Sequence, residues 1–256
     1  MLVVRQGQLA VFEEPLLQQF ETAMLARTQR YFPMDAALLG EAHLRAAIRQ
    51  AARKAFALGF TEQSQVCRYF DLSLCLGTAF PSDPLLPWGE ACLTGTRGES
   101  GAFEQLFDAA VSYIEAVSGE DGEYATRAIV RARALSFAEA ANPNADHGPS
   151  TLRILRKLWP QKFRRSSGDD QARFLALAGQ LSRRDDLDAP GPRQLYTILM
   201  FLLGSHFARD ATIPWAREAL IATTGASPEK RARTLYDAGM GFIDAFRALL
   251  PSKAPN

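Results

Sequence analysis

The chain has almost no net charge. Its 29 Lys and Arg balance 28 Asp and Glu, leaving +1 over 256 residues. Without an overall field there is nothing to draw in nucleic acid or an anionic membrane. Long apolar runs are also missing. The most apolar, LYTILMFLLGSHF (Leu195–Phe207), has 13 residues. A bilayer needs roughly 20, so this run is expected to be a buried core helix. The opening MLVVRQGQLAVFEEP carries Arg5, Glu13 and Glu14, and no apolar stretch in it is long enough for a secretory signal. Cys67, Cys75 and Cys92 form no C-x-x-C pair and stand in apolar surroundings. They are expected to be buried, unbridged thiols in a reducing cytoplasm.

Catalytic signatures are lacking too. No H-E-x-x-H, G-x-S-x-G, phosphate-binding loop or G-x-G-x-x-G occurs. His43, His147 and His206 fall in a helix, a linker and a loop, none with a ligand residue at helical spacing, so no metal or other cofactor is implied. Strand patterning is nearly absent, with MLVV (residues 1–4) as the one candidate.

What is present is a skeleton written twice. LGTAFPSDPLLPW (Leu76–Trp88) and LGSHFARDATIPW (Leu203–Trp215) share L-G-x-x-F-x-x-D-x-x-[LI]-P-W at an offset of 127. Extended to Leu93 and Leu220, the alignment has seven identities in 18 positions, where residue usage gives about one by chance. Tyr69/Tyr196, Leu25/Leu152 and Pro33/Pro160 match at the same offset. Further on, LFDAAVSYIEA (Leu106–Ala116) faces LYDAGMGFIDA (Leu235–Ala245) at an offset of 129, with five identities in 11. A period this long does not fit a solenoid. It predicts an all-α fold of two tandem, duplicated four-helix units packed pseudo-symmetrically, as in an isologous dimer made covalent. The expected division is a first unit over 1–118, a connecting helix and linker over 119–150, a second unit over 151–250 and a disordered tail over 251–256.

Apolar stripes at helical spacing place helices over Glu41–Phe60, Ala102–Val117, Tyr124–Asn142 and Gln171–Arg184. In each unit the first helix ends at an aromatic–proline step, Phe32–Pro33 or Trp159–Pro160. The third and most apolar helix spans Gln65–Leu76 or Arg193–Leu203, and the last runs from Leu106 or Leu235. Every repeated residue of the skeleton then has a structural task. Gly77 and Gly204 stop a helix. Asp83 and Asp210 cap a turn or helix start. Pro87 and Pro214 open a helix, while Trp88 and Trp215 with Phe80 and Phe207 close the corner. The skeleton is therefore a joint. An aspartyl dyad formed by Asp83 and Asp210 is the weaker alternative. Asp108/Asp237 and Glu115/Asp244 recur on the last helix, where a solvated or internally paired face explains them better than a metal set.

Where the copies differ, function is the better expectation. TLRILRKLWPQKFRR (residues 151–165) holds Arg153, Arg156, Lys157, Lys162, Arg164 and Arg165 and no acid, interleaved with apolar residues that include Trp159. Arg and Trp are frequent interface anchors, and these seven residues are the candidate surface for an acidic protein partner. Nucleic acid is disfavoured because the patch is short in an otherwise balanced chain.

The stretches RYFP (Arg30–Pro33) and GFTEQSQVCRYFDLSLCLGTAFPSDPLLPW (Gly59–Trp88), with their second-copy echo, resemble uncharacterised bacterial all-helical proteins encoded beside type VI secretion effector, spike and PAAR-tip genes. The second copy departs by having Ala211 in place of the proline after the aspartate. The resemblance implies a cytoplasmic accessory role as effector adaptor, chaperone or immunity protein, and carries over no site residues. The expected partner is a secreted effector or secretion component. The alternative from a different class is a small-molecule or lipid binder, even an enzyme, with its pocket between the two units.

Overall fold

The computed structural model describes residues 6–94 and 101–249, and among them the protein is all-helical, with thirteen α-helices and no strand. In chain order these are α1 (Gln6–Tyr31), α2 (Pro33–Ala57), α3 (Gln63–Leu76), α4 (Pro87–Thr94), α5 (Ala102–Ser118), α6 (Glu123–Ala134), α7 (Phe137–Ala140), α8 (Pro149–Leu158), α9 (Pro160–Phe163), α10 (Gly168–Arg184), α11 (Pro190–Leu203), α12 (Pro214–Ala222) and α13 (Pro228–Leu249). Short 3₁₀ turns at Phe80–Ser82 and Phe207–Arg209 follow α3 and α11. None of the described helices is long and apolar enough to cross a membrane. The MLVV segment and the 251–256 tail lie outside the described residues.

Proline sets many of the starts. It occupies the first turn of α2, α8, α9, α11 and α12, where a missing N–H breaks no intrahelical bond. The predicted helix over Glu41–Phe60 is the second part of α2, which begins earlier, at Pro33, and kinks at Gly40, where φ is +68°. At the matching place in the second half the helix breaks outright. Ser167 accepts from the Asp170 N–H at 3.1 Å and Asp170 returns the bond, starting α10 afresh.

Two expectations need correction. The single helix expected over Tyr124–Asn142 is two, because Ser136 and Glu139 form a capping box that starts α7 and leaves Leu135 extended. The alanine content favours helix throughout, but the S-x-x-E signature decides the boundary. Each half also has more than four helices. Pro87 and Pro214 open α4 and α12 as helices in their own right, and α13 begins two turns before Leu235.

The core falls into two clusters. One is built mainly from residues 24–117, around Tyr69, Phe70 and Leu106. The other draws chiefly on residues 132–235, around Phe174, Tyr196 and Leu235. The division is crossed at its edges. Leu85 is buried in the second cluster, Ala211 packs on the first, and Trp159 packs on both. Helix α2 meets α13, and α5 meets α9.

Candidate functional site

The basic segment divides by orientation. Helix α8 is sharply amphipathic. Thr151, Leu155 and Leu158 face inward while Arg153, Arg156 and Lys157 are exposed. Arg164 and Arg165, just past α9, are also exposed. These five present a cationic surface. The other two candidates turn inward. Trp159 adopts an extended backbone (φ −139°, ψ 80°) at the junction of α8 and α9 and is half-buried. Its indole Nε1–H donates to the Val117 carbonyl at 2.8 Å, tying α9 to the end of α5. Lys162 is half-buried overall but its ammonium is enclosed, 5.4 Å from the Trp159 ring centre and 5.3 Å from that of Phe201. Burial lowers its pKa to about 8, outweighing the opposing pull of Asp83. Trp159→Phe keeps an aromatic ring but deletes the pyrrole half with its donor, leaving the Val117 carbonyl without its partner. It is expected to cost about 1–2 kcal/mol, measurable by urea denaturation; an unchanged midpoint would show the bond to be dispensable.

The twice-written skeleton forms a reciprocal joint. Asp83 Oδ1 accepts from Leu85 N–H at 2.9 Å within its own turn, and Oδ2 accepts from Ser205 N–H at 3.0 Å in the other half. Asp210 does the converse. Oδ1 accepts from Thr212 N–H at 2.9 Å and its hydroxyl at 2.7 Å, and Oδ2 from Thr78 N–H at 2.5 Å and its hydroxyl at 2.9 Å. Both carboxylates are buried. Each has its lone pairs directed at backbone donors, which is the geometry of a cap and not of two acids sharing a proton. Gly77 and Gly204 stand back to back at the crossing. A Cβ on Gly204 would lie 3.7 Å from the Gly77 Cα and 2.8 Å from the Leu76 carbonyl oxygen. Their φ, +83° and +101°, comes with ψ near 150°, so neither is the left-handed cap that a helix-stopping glycine suggests.

Sequence reasoning missed Gln50. Its Nε2 donates to the Arg209 carbonyl at 2.8 Å, and its Oε1 accepts from Ala211 N–H at 2.7 Å, so α2 clasps the second motif. Spacing gave no signal, because Gln50 follows Arg49 on a face that looks solvated. Phe80 and Trp88 pack 6.2 Å apart, and Phe207 packs on Tyr196 at 4.9 Å. Trp215 instead stacks on Phe242 at 5.9 Å. The indole N–H groups of Trp88 and Trp215 are buried without a partner among the described residues, so both rings serve as apolar filling.

Between the halves lies a cavity of about 330 Å³. Its wall comes chiefly from α2, α3, α6, α11 and α13, with single residues from α7 and α12, and Ile198, Leu202 and Phe246 are typical of it. Asp35, half-buried in the first turn of α2, is its carboxyl, and burial raises that pKa. Cys75 lies in the same wall and its thiol is pushed up to about 11 by its surroundings.

The remaining candidate groups are accounted for locally. His43 Nε2 lies 3.2 Å from Glu218, His147 Nε2 lies 3.2 Å from the Leu175 carbonyl, and His206 Nδ1 lies 3.2 Å from the Ser205 hydroxyl. Among the described residues no group of three His, Cys, Asp or Glu is placed to hold a metal ion. Asp244 pairs with Arg133 at 2.7 Å, and Asp237 lies 3.9 Å from Arg233, an internally paired face. The cysteines form no disulfide, but the expectation of burial fails. Cys75 is exposed, and Cys67 and Cys92 are half-buried. The core face of α3 is taken by Val66, Tyr69, Phe70, Leu72 and Ser73, and Cys67 and Cys75 lie off it.

Compared with known proteins, the chain matches no family model, no curated protein and no solved structure.

Proposed function

We propose that this chain is a non-enzymatic, protein-binding accessory protein of a type VI secretion locus, working in the cytoplasm. In this reading it holds a secreted effector or secretion component as adaptor, chaperone or immunity protein. The observation that carries the reading is the exposed cationic face. Arg153, Arg156, Lys157, Arg164 and Arg165 have no carboxylate within ion-pair distance among the described residues, whereas Arg27, Arg68, Arg133 and Arg209 are each paired. Asp146 and Glu139 influence Arg153 and Lys157 only through space. An acidic partner surface supplies the missing charges. The motif resemblance supports the same class of role. In the same proposal the two halves are tandem copies of one unit. The crossed bonds of Asp83 and Asp210 support that part, as do the matching φ/ψ of Gly77 and Gly204 and the 3₁₀ turn in each motif.

Co-purification with the effector encoded beside the gene tests the reading. Arg156→Glu with Lys157→Glu is expected to weaken capture by about tenfold or more, since a surface charge reversal juxtaposes like charges. Unchanged capture, or no capture by the parent chain, removes the reading. Rescue of cells expressing the toxin marks an immunity protein; dependence of delivery on the chain marks an adaptor. The cavity favours a second role in small-molecule or lipid binding, independent of the first.

A further inference from the structure

The cavity between the halves has a definite chemical character. Its ionisable groups are Asp35, Cys75 and Tyr236, and no Lys, Arg or His lines it. Tyr236 is already engaged, donating its hydroxyl to the Leu135 carbonyl at 2.7 Å. Asp35 accepts only from its own backbone N–H among the described residues, so most of its acceptor capacity is open. Burial pushes Asp35 toward its uncharged form, as a low-dielectric wall does. A carboxylate or phosphate ligand would enter without a counter-charge and would meet Asp35. A ligand head that donates a hydrogen bond would instead meet an open acceptor. Trp159, Trp215, Phe242 and Phe246 complete the wall with aromatic surface, which suits an apolar body and tolerates an ammonium.

We propose that this cavity binds an apolar molecule ending in a hydroxyl or ammonium donor, with Asp35 as its acceptor. The site draws on α2 from one half and α11 and α13 from the other, so the ligand bridges the two. Nothing in it depends on the cationic face or on a protein partner.

The test uses the full chain and the neutral fluorophore N-phenyl-naphthylamine, displaced by decylamine, decanol or decanoate near neutral pH. Decylamine and decanol are expected to displace the probe, and decanoate to be about tenfold weaker or worse. Asp35→Asn is expected to weaken decylamine about tenfold while leaving decanol within a few-fold, because the charge is lost and an acceptor remains. Ala125 and Leu202 are half-buried in the wall, and Ala125→Trp fills the space and is expected to abolish probe binding with helicity and melting temperature retained. If that variant does not fold, Leu202→Trp takes its place. Equal competition by decanoate overturns the proposal. So does probe binding that survives the filling variants, or the absence of any displacement by decylamine and decanol.

Discussion

Asp210→Ala is expected to destabilise the chain by about 3–5 kcal/mol. The carboxylate is 4% exposed and accepts from the N–H and hydroxyl of both Thr78 and Thr212. Its removal leaves two backbone donors without partners where water cannot replace the acceptor, each worth about 1–3 kcal/mol. For a chain of this size that corresponds to a fall in melting temperature of about 10 °C. Asp83→Ala removes two accepted bonds instead of four and is expected to cost less. Asp210→Asn should fall between, because an amide oxygen can satisfy one threonine while its NH2 opposes the other's donors. Calorimetry on the three variants checks the ranking. If Asp210→Ala leaves the melting temperature unchanged, the crossed bonds do not hold the halves together.

Gly204→Ala is expected to be comparably severe for a different reason. At φ +101° and ψ 152° the backbone lies in a region essentially reserved for glycine, at a cost of about 1–3 kcal/mol for any other residue. The added methyl would also lie 2.8 Å from the Leu76 carbonyl oxygen, which belongs to the end of another helix and cannot swing aside. Overpacking of this kind costs a further ~1–3 kcal/mol. Gly77→Ala meets the Leu203 carbonyl at 3.2 Å and Asp210 Oδ2 at 3.3 Å, a looser fit, and should be the milder of the pair. Equilibrium urea denaturation gives both values. A loss below about 1 kcal/mol for Gly204→Ala would mean that the two helix ends can separate without consequence.

The local design was legible in the amino-acid order, and the pairings across the molecule were not. Stripes at helical spacing located α5 to within a residue and the end of α10, which begins three residues before the expected Gln171. The glycine, aspartate, proline and tryptophan of the skeleton named a helix stop, a turn cap, a helix start and a plug, as found. An aspartate in a turn accepts from the backbone N–H two residues on, and Asp83 does so from Leu85. Nothing in that spacing points to Ser205, which is 122 positions away. Gln50 was invisible for the same reason, because its partners are carbonyl and amide groups of a distant loop. Ser136 and Glu139 show the opposite failure. Their signature was readable, but it lay within an alanine-rich run whose helix propensity obscured it. Trp159 and Lys162 looked like members of a surface patch because their neighbours are basic; the turn at Pro160 directs them inward. The cavity draws residues from seven helices, and no window of sequence contains it.

The crossed bonds also bear on how the chain acquires its structure. The partners Asp83–Ser205 and Thr78–Asp210 are 122 and 132 residues apart, about half the length of the chain. Loop-closure entropy is met before such contacts give any return. They are therefore expected to form late, after the local helices of both halves stand. A contact absent from the rate-limiting step of folding governs how fast the native state opens. The joint is thus expected to act as a kinetic latch, with Asp210→Ala speeding unfolding far more than it slows folding in stopped-flow measurements.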